Sequence, residues 1–254
     1  MSEKHVIGSV GRGLAYGLGA AAGAYAAYVG TTWLRYGRVK AGGGDVPDAL
    51  LDRFIPTYEV AERHHIRVAA PADITFAAAC DVDLQQSPTI GAIFKARELI
   101  LGSSSDAQKR PRGLVALTRS LGWGVLAEVP DREIVLGAVT RPWDADVVFR
   151  AVPPEDFATF NDPDYVKIVW TLRADEVGER ESVARTETRV VSTDELARER
   201  FRKYWSVFSP GIALIRLATL KLVKADAERR VRLGTATTVD RFTLVGAGDL
   251  DPEC

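Results

Sequence analysis

Cysteine, histidine and methionine are scarce in this sequence, and its charges nearly cancel. Two cysteines, Cys80 and Cys254, are too few for a disulfide framework. Three histidines leave no basis for a histidine-rich centre, and no metal is expected. The 33 basic and 34 acidic residues sum to −1. That excludes a chain whose main task is gripping nucleic acid, which needs a clearly basic domain. G-x-x-x-x-G-K, G-x-S-x-G, C-x-x-C and H-E-x-x-H are all missing, so no cofactor is expected. What is present is 254 residues, 46% hydrophobic and 26% charged. This is enough for one large domain or two small ones and too apolar for wholesale disorder.

The first forty residues differ from the rest. No charge occurs from Leu14 to Leu34, between Arg12 and the cluster Arg35, Arg38 and Lys40. About 20 apolar residues in a helix cross a bilayer core, and Trp33 sits where an interfacial anchor belongs. Three readings stay open. The run is a single membrane-spanning anchor, with Gly13/Gly17 and Gly19/Gly23 spaced for helix pairing. Alternatively it is a signal peptide cut after Ala24-Tyr25-Ala26, or a small-residue helix packed on the protein's own surface. The basic cluster after the run favours a single-pass membrane protein with its body on the cytoplasmic side; the alternative is a cytoplasmic protein.

Four units follow: an apolar helix over 1–40, a Gly-rich linker over 41–47, a folded domain over 48–233 and a tail over 234–254. Up to Pro47 the net charge is +3, and beyond it −4.

Within the domain, Tyr58 to Val68 alternates. Tyr58, Val60, Ile66 and Val68 share one face, and Glu59, Arg63, His65 and Arg67 the other, as in a half-buried strand. Helices are expected over Ala72–Cys80 and from Ser87-Pro88 to Gly102. Trp123–Val129 and Ile134–Thr140 read as a hairpin, with a short strand within Asp146–Val152. Tyr165–Leu172 and Val183–Val191 form an antiparallel pair around a polar turn at 175–180. A capping box at Ser192-Thr193-Asp194-Glu195 opens the last helix. Its stripe of Phe201, Trp205, Phe208, Ile212, Ile215 and Leu222 runs to about Arg230, with a kink expected at Pro210-Gly211. Phe242–Val245 is a candidate for one more short strand. The fold class is α+β: a curved antiparallel sheet wrapped around a long C-terminal helix, with a separate N-terminal apolar helix.

Several segments carry a family resemblance. They are His64-His65-Ile66-Arg67-Val68-Ala69-Ala70-Pro71-Ala72 with Phe76, Val169-Trp170-Thr171-Leu172 and Thr186-Glu187-Thr188-Arg189-Val190. Arg200 to Trp205 and Pro210 to Arg216 complete the set. The chain resembles the START-like superfamily (SRPBCC), which includes polyketide cyclase/dehydrase and lipid-transport proteins, and within it a branch of uncharacterised bacterial members. The similarity covers roughly residues 56 to 230. It implies a helix-grip fold with a hydrophobic cavity. The superfamily holds carriers, sensors and enzymes, so the fold does not decide the function.

The candidate ligand-binding residues are His64, Trp170, Glu187, Arg189, Tyr204, Trp205 and Phe208. His64 and His65 point to opposite faces of a strand and cannot chelate one metal together. His64 is either an ordinary half-packed histidine or, with Glu62 beside it, a base within the pocket. Arg185, Glu187 and Arg189 share one face, either as a solvent-facing ladder or inside the grip with Glu187 paired by the two arginines. The four aromatics are either core or cavity lining. The expected function is binding of a hydrophobic small molecule or lipid by a membrane-tethered domain. One alternative is a cyclase/dehydrase-type enzyme moving a proton with His64 or Glu187. The other is a structural or interaction protein whose interior is filled.

Overall fold

Alternation at period two builds the sheet, and two apolar stripes cover it. The computed structural model describes residues 3–36, 40–41, 48–101 and 111–246. The chain runs α1 (Glu3–Arg35), β1 (Lys40–Ala41), α2 (Ala49–Asp52), β2 (Thr57–Tyr58), β3 (Val60–Val68), α3 (Ala72–Asp81) and α4 (Pro88–Leu101). It continues through α5 (Leu114–Ser120), β4 (Gly124–Val129), β5 (Glu133–Thr140), β6 (Phe149–Arg150) and α6 (Pro154–Phe157). Then come β7 (Val166–Gly178), β8 (Glu181–Ser192) and α7 (Glu195–Gly246).

The six-stranded sheet is antiparallel and curved, in the order β3-β8-β7-β5-β4 with β6 beside β5. Register sets the two faces. His64 pairs with Thr186, Thr186 with Leu172, and Trp170 with both Thr188 and Leu136. These residues form the inner face, which α3, α5 and α7 cover. Val68, Leu136, Trp170 and Leu172 pack there on Leu220, Val223 and Ala227 of α7. Nearer the start of α7, Phe201 and Trp205 pack on Val60, Val166 and Val190. The outer face is covered as well. Leu51 of α2 and Phe157 of α6, with Phe54 and Ile55, close a second core over Val135, Val139 and Val169. Every residue of β5 is buried in consequence.

Three expectations need correction. The cap of α7 is Asp194 rather than Ser192. Asp194 Oδ1 accepts from the Ala197 amide at 2.7 Å, and those backbone donors hold its carboxyl below the usual range. Ser192 remains the last residue of β8, its hydroxyl donating to Glu59 Oε2 at 2.9 Å. Secondly, α7 continues as helix through Gly246, so neither the short strand at Phe242–Val245 nor a boundary at Leu233 is found. A helix satisfies its backbone groups internally, whereas a short strand needs a partner edge. Residues 247–254 lie outside the described residues. Thirdly, the body begins before residue 48. Tyr36 is buried beside Phe201, and Lys40 pairs with Tyr58. The Gly-rich linker, from residue 42 to 47, lies outside the described residues.

Pro210 lies within α7. At Gly211 a Cβ would stand 3.2 Å from Ile93 Cγ2, so the glycine lets α4 approach closely. One helix segment among the described residues, Glu195–Gly234, is long and apolar enough to cross a membrane. It is also the helix that covers the sheet.

Candidate functional site

The interior of the grip is polar at one place. From Tyr204 to Leu220 the one charged residue is Arg216, on the side of α7 that meets the sheet. Its guanidinium lies 4.6 Å above the Trp170 ring, and its Nη2 donates to Thr188 Oγ1 at 3.0 Å. Trp170 Nε1 donates in turn to Thr186 Oγ1 at 2.7 Å. His64 shares this face, with Nε2 3.4 Å from Glu62 Oε2 and without a hydrogen bond. Arg216 forms no ion pair within 4.0 Å among the described residues. Burial lowers its pKa to about 10, against the opposing pull of Glu62.

The space beside Arg216 is closed. A hollow of about 10 Å³ remains between Trp170, Leu172, Thr186, Ala79, Val223 and Arg216. That is room for about one water. Among the described residues, no hollow of ligand size lies beside Arg216. Trp170 and Trp205 are both core residues, 3% and 6% exposed. Tyr204 and Phe208 pack with tilted rings 4.9 Å apart, half-buried on the early part of α7.

Glu187 and Arg189 lie elsewhere. Thr186 and Thr188 face α7, so alternation turns Glu187 and Arg189 to the outer face. There Arg189 Nε donates to Glu187 Oε1 at 2.7 Å, and its Nη1 to Asp52 Oδ1 at 2.6 Å and to the Ile55 carbonyl at 3.0 Å. Glu187 also accepts from Arg63 Nε and Nη2 at 2.8 and 3.0 Å. Arg185 is not part of this cluster and donates to Asp175 at 2.5 Å. The charges are neither a solvent-facing ladder nor part of the grip. They are a neutralised network that fastens α2 to the sheet. A groove of about 310 Å³ borders it, lined by Asp48, Arg63, His65, Thr171, Arg173 and Glu187.

At the edge of this groove Glu133 is buried beside Asp48. Burial, then the negative charge of Asp48, pushes its carboxyl up to about 7. The folded state thus keeps a proton that the unfolded chain releases near pH 4.5. The resulting stabilisation is fully present below pH 4.5 and is lost as pH rises through about 7. Its steepest slope is about 1.4 kcal/mol per pH unit, that of one proton. Glu133→Gln should flatten the wild-type decline, measured as urea midpoints across this window. Equal slopes in the two proteins would remove Glu133 as the cause.

No protein-family model matches this sequence, and no curated protein matches it. Solved structures resemble it in outline. Norcoclaurine synthase from Thalictrum flavum, in complex with dopamine and hydroxybenzaldehyde, is 13% identical with a TM-score of 0.30, covering 69% of this chain and 87% of that one. The ZhuI aromatase/cyclase from Streptomyces sp. R1128 is 14% identical with a TM-score of 0.25, over 68% and 95% of the two chains. A hypothetical protein from Helicobacter pylori is 8% identical with a TM-score of 0.35, over 69% and 93%. The helix-grip arrangement stands on the sheet order and on the position of α7.

His64 and Trp170 lie on the sheet face toward α7, Tyr204, Trp205 and Phe208 lie on α7 itself, and Arg216 was not among the residues singled out from the sequence. The signal was available: a single cation in an otherwise uncharged helical stretch, in phase with residues that meet the sheet.

Proposed function

We propose that this chain is a membrane-tethered member of the START-like superfamily that binds an amphipathic small molecule with an anionic head. The head meets Arg216, and the apolar part enters between α7 and the inner face. The observation that carries this reading is Arg216 itself. A half-buried guanidinium held against Trp170, with Glu62 acting on it but no ion pair within 4.0 Å among the described residues, carries a desolvation cost, and an anionic ligand would offset that cost with a charge-assisted, bidentate contact. His64, Thr186 and Thr188 would complete the polar end. Trp170, Tyr204, Trp205 and Phe208 would form the wall, and Glu187 and Arg189 would hold the scaffold. Binding requires α4 and α7 to part. Pro210 supplies a missing backbone bond for that movement, and Gly211 a bare contact. α1 supplies the tether, with the body on the cytoplasmic side.

The test uses cis-parinaric acid as a fluorescent anionic probe and its methyl ester as the uncharged control. Wild-type protein should bind the acid more tightly than the ester. Arg216→Met should weaken the acid by roughly 10- to 100-fold, the loss expected for a charged hydrogen bond, and leave the ester unchanged. Equal binding of the acid by both proteins overturns the role of Arg216.

The closed hollow of about 10 Å³ favours a second reading, an interaction protein with a filled interior. In that case neither probe binds, and Arg216→Met raises thermal stability by replacing an unpaired cation with a hydrophobe.

A further inference from the structure

We infer that the middle of α7 and the adjoining side of α4 rest in the interfacial layer of the bilayer that α1 enters, so that the grip opens toward lipid. This rests on the tether reading of α1 and adds a second membrane contact to it.

Three observations converge. The first is the distribution of exposed apolar groups. Of thirteen large hydrophobic side chains exposed among the described residues, eight lie on α1, on α4, or on α7 between 207 and 217. On α7 and α4 these are Val207, Leu214, Leu217 and Phe94. A cluster on packed neighbouring helices marks an interaction surface, whereas scattered single residues do not.

The second is composition. An 18-residue stretch of α7 has a mean hydropathy of 1.5, yet 28% of its residues are fully buried, most of the rest are half-buried, and Val207, Leu214 and Leu217 stand exposed. A core helix of that hydropathy should be largely covered.

The third is continuity with α1. Tyr25 Oη donates to the Val207 carbonyl at 2.5 Å, and Tyr28 Oη lies 3.1 Å from Ser209 Oγ. Arg202 Nε and Nη2 donate to the Trp33 carbonyl at 3.0 and 2.7 Å. The same guanidinium stacks 4.0 Å above the Trp33 ring. The uncharged run of α1 therefore joins α7 where the exposed apolar residues of α7 begin. The Trp33–Arg202 pair has the amphipathic character of a group at the headgroup level. Once α1 is in lipid, Val207 is held beside it. Leu214 and Leu217 then extend the same apolar surface along α7, and Gly211 brings α4 close through Ile93, next to the exposed Phe94. A bilayer is thus the occupant with matching chemistry: apolar along the helices, with aromatic and arginine side chains at one margin. Arg216, one residue before Leu217, lies beneath this surface, so a bilayer amphiphile would reach it without crossing water.

The full-length chain tests this in vesicles of phosphatidylcholine and phosphatidylglycerol. Cys80 and Cys254 are replaced by serine, and a single cysteine carrying an environment-sensitive NBD dye is placed at Leu217, Ala20 or Val148. All three positions are exposed. At Leu217 the emission should shift to the blue and be quenched by brominated lipid. At Val148, on a loop of the body, it should do neither. Quenching at Ala20 but not at Leu217 overturns the second contact and leaves the tether standing. Quenching at neither position overturns both. Quenching at Leu217 alone supports the α7 contact and removes the tether. Equal quenching at Val148 means adsorption without a preferred face and overturns the inference.

Discussion

Arg189→Ala should lower the unfolding free energy by about 3–5 kcal/mol, the cost of removing one partner from a buried ion pair. Arg189 is 1% exposed and is among the largest fully buried side chains of the described residues. It bridges Glu187 and Asp52, donates to the Ile55 carbonyl, and lies 4.9 Å above the Tyr58 ring. Its removal leaves Glu187 with Arg63 alone and detaches Asp52, so α2 loses its hold on the outer face. Urea denaturation measures the change. The double variant Arg189→Met with Glu187→Gln is the control, since it removes most of the stranded charge and should recover part of the loss. A single-variant loss below 1 kcal/mol would show that solvent reaches the network freely.

Trp205→Ala should be comparably destabilising, by about 3–5 kcal/mol, the usual cost of truncating a large aromatic in a core. Trp205 is 6% exposed and packs on Phe201 at 5.7 Å within a cluster that includes Tyr36, Val60, Val166 and Val190. Had it lined an open hollow, the same substitution would reduce ligand retention and leave folding largely intact. Thermal melting and parinarate binding, measured on one preparation, separate the two. A melting temperature equal to wild type would return Trp205 to the cavity wall. The contrast with Arg216→Met is informative, because that substitution removes a charge from the interior without removing packing. Trp205 reports on how the first turns of α7 are held, and Arg216 on what the grip is built to meet.

Much of the architecture was legible along the chain. Alternation over 58–68 marked β3, and the apolar runs on either side of Pro130-Asp131 marked the β4–β5 hairpin. The stripe from Phe201 onward marked the helix that covers the sheet. The short elements escaped. α2, α5 and α6 span few residues, and a helix of one or two turns has no periodicity of its own to read. These elements exist because they cover the sheet, α2 and α6 on its outer face and α5 beside α3 on its inner face. The end of α7 escaped because Thr- and Gly-rich composition weakens a helix without forbidding it.

The candidate site divides along the same line. Period two correctly placed Arg185, Glu187 and Arg189 on one face and the threonines between them on the other. It could not say which face meets α7, because alternation is symmetric between the sides of a sheet until another element packs on one of them. Hence Thr186 and Thr188 belong to the grip, while Glu187 and Arg189 fasten α2. Local sequence, through the spacing of its apolar residues, determined the strands, the long helix and the uncharged run near the N-terminus. The closing of the interior, the partner each charge found and the placement of Arg216 against Trp170 were decided by tertiary structure, since each depends on residues far apart in the chain meeting across a packed layer.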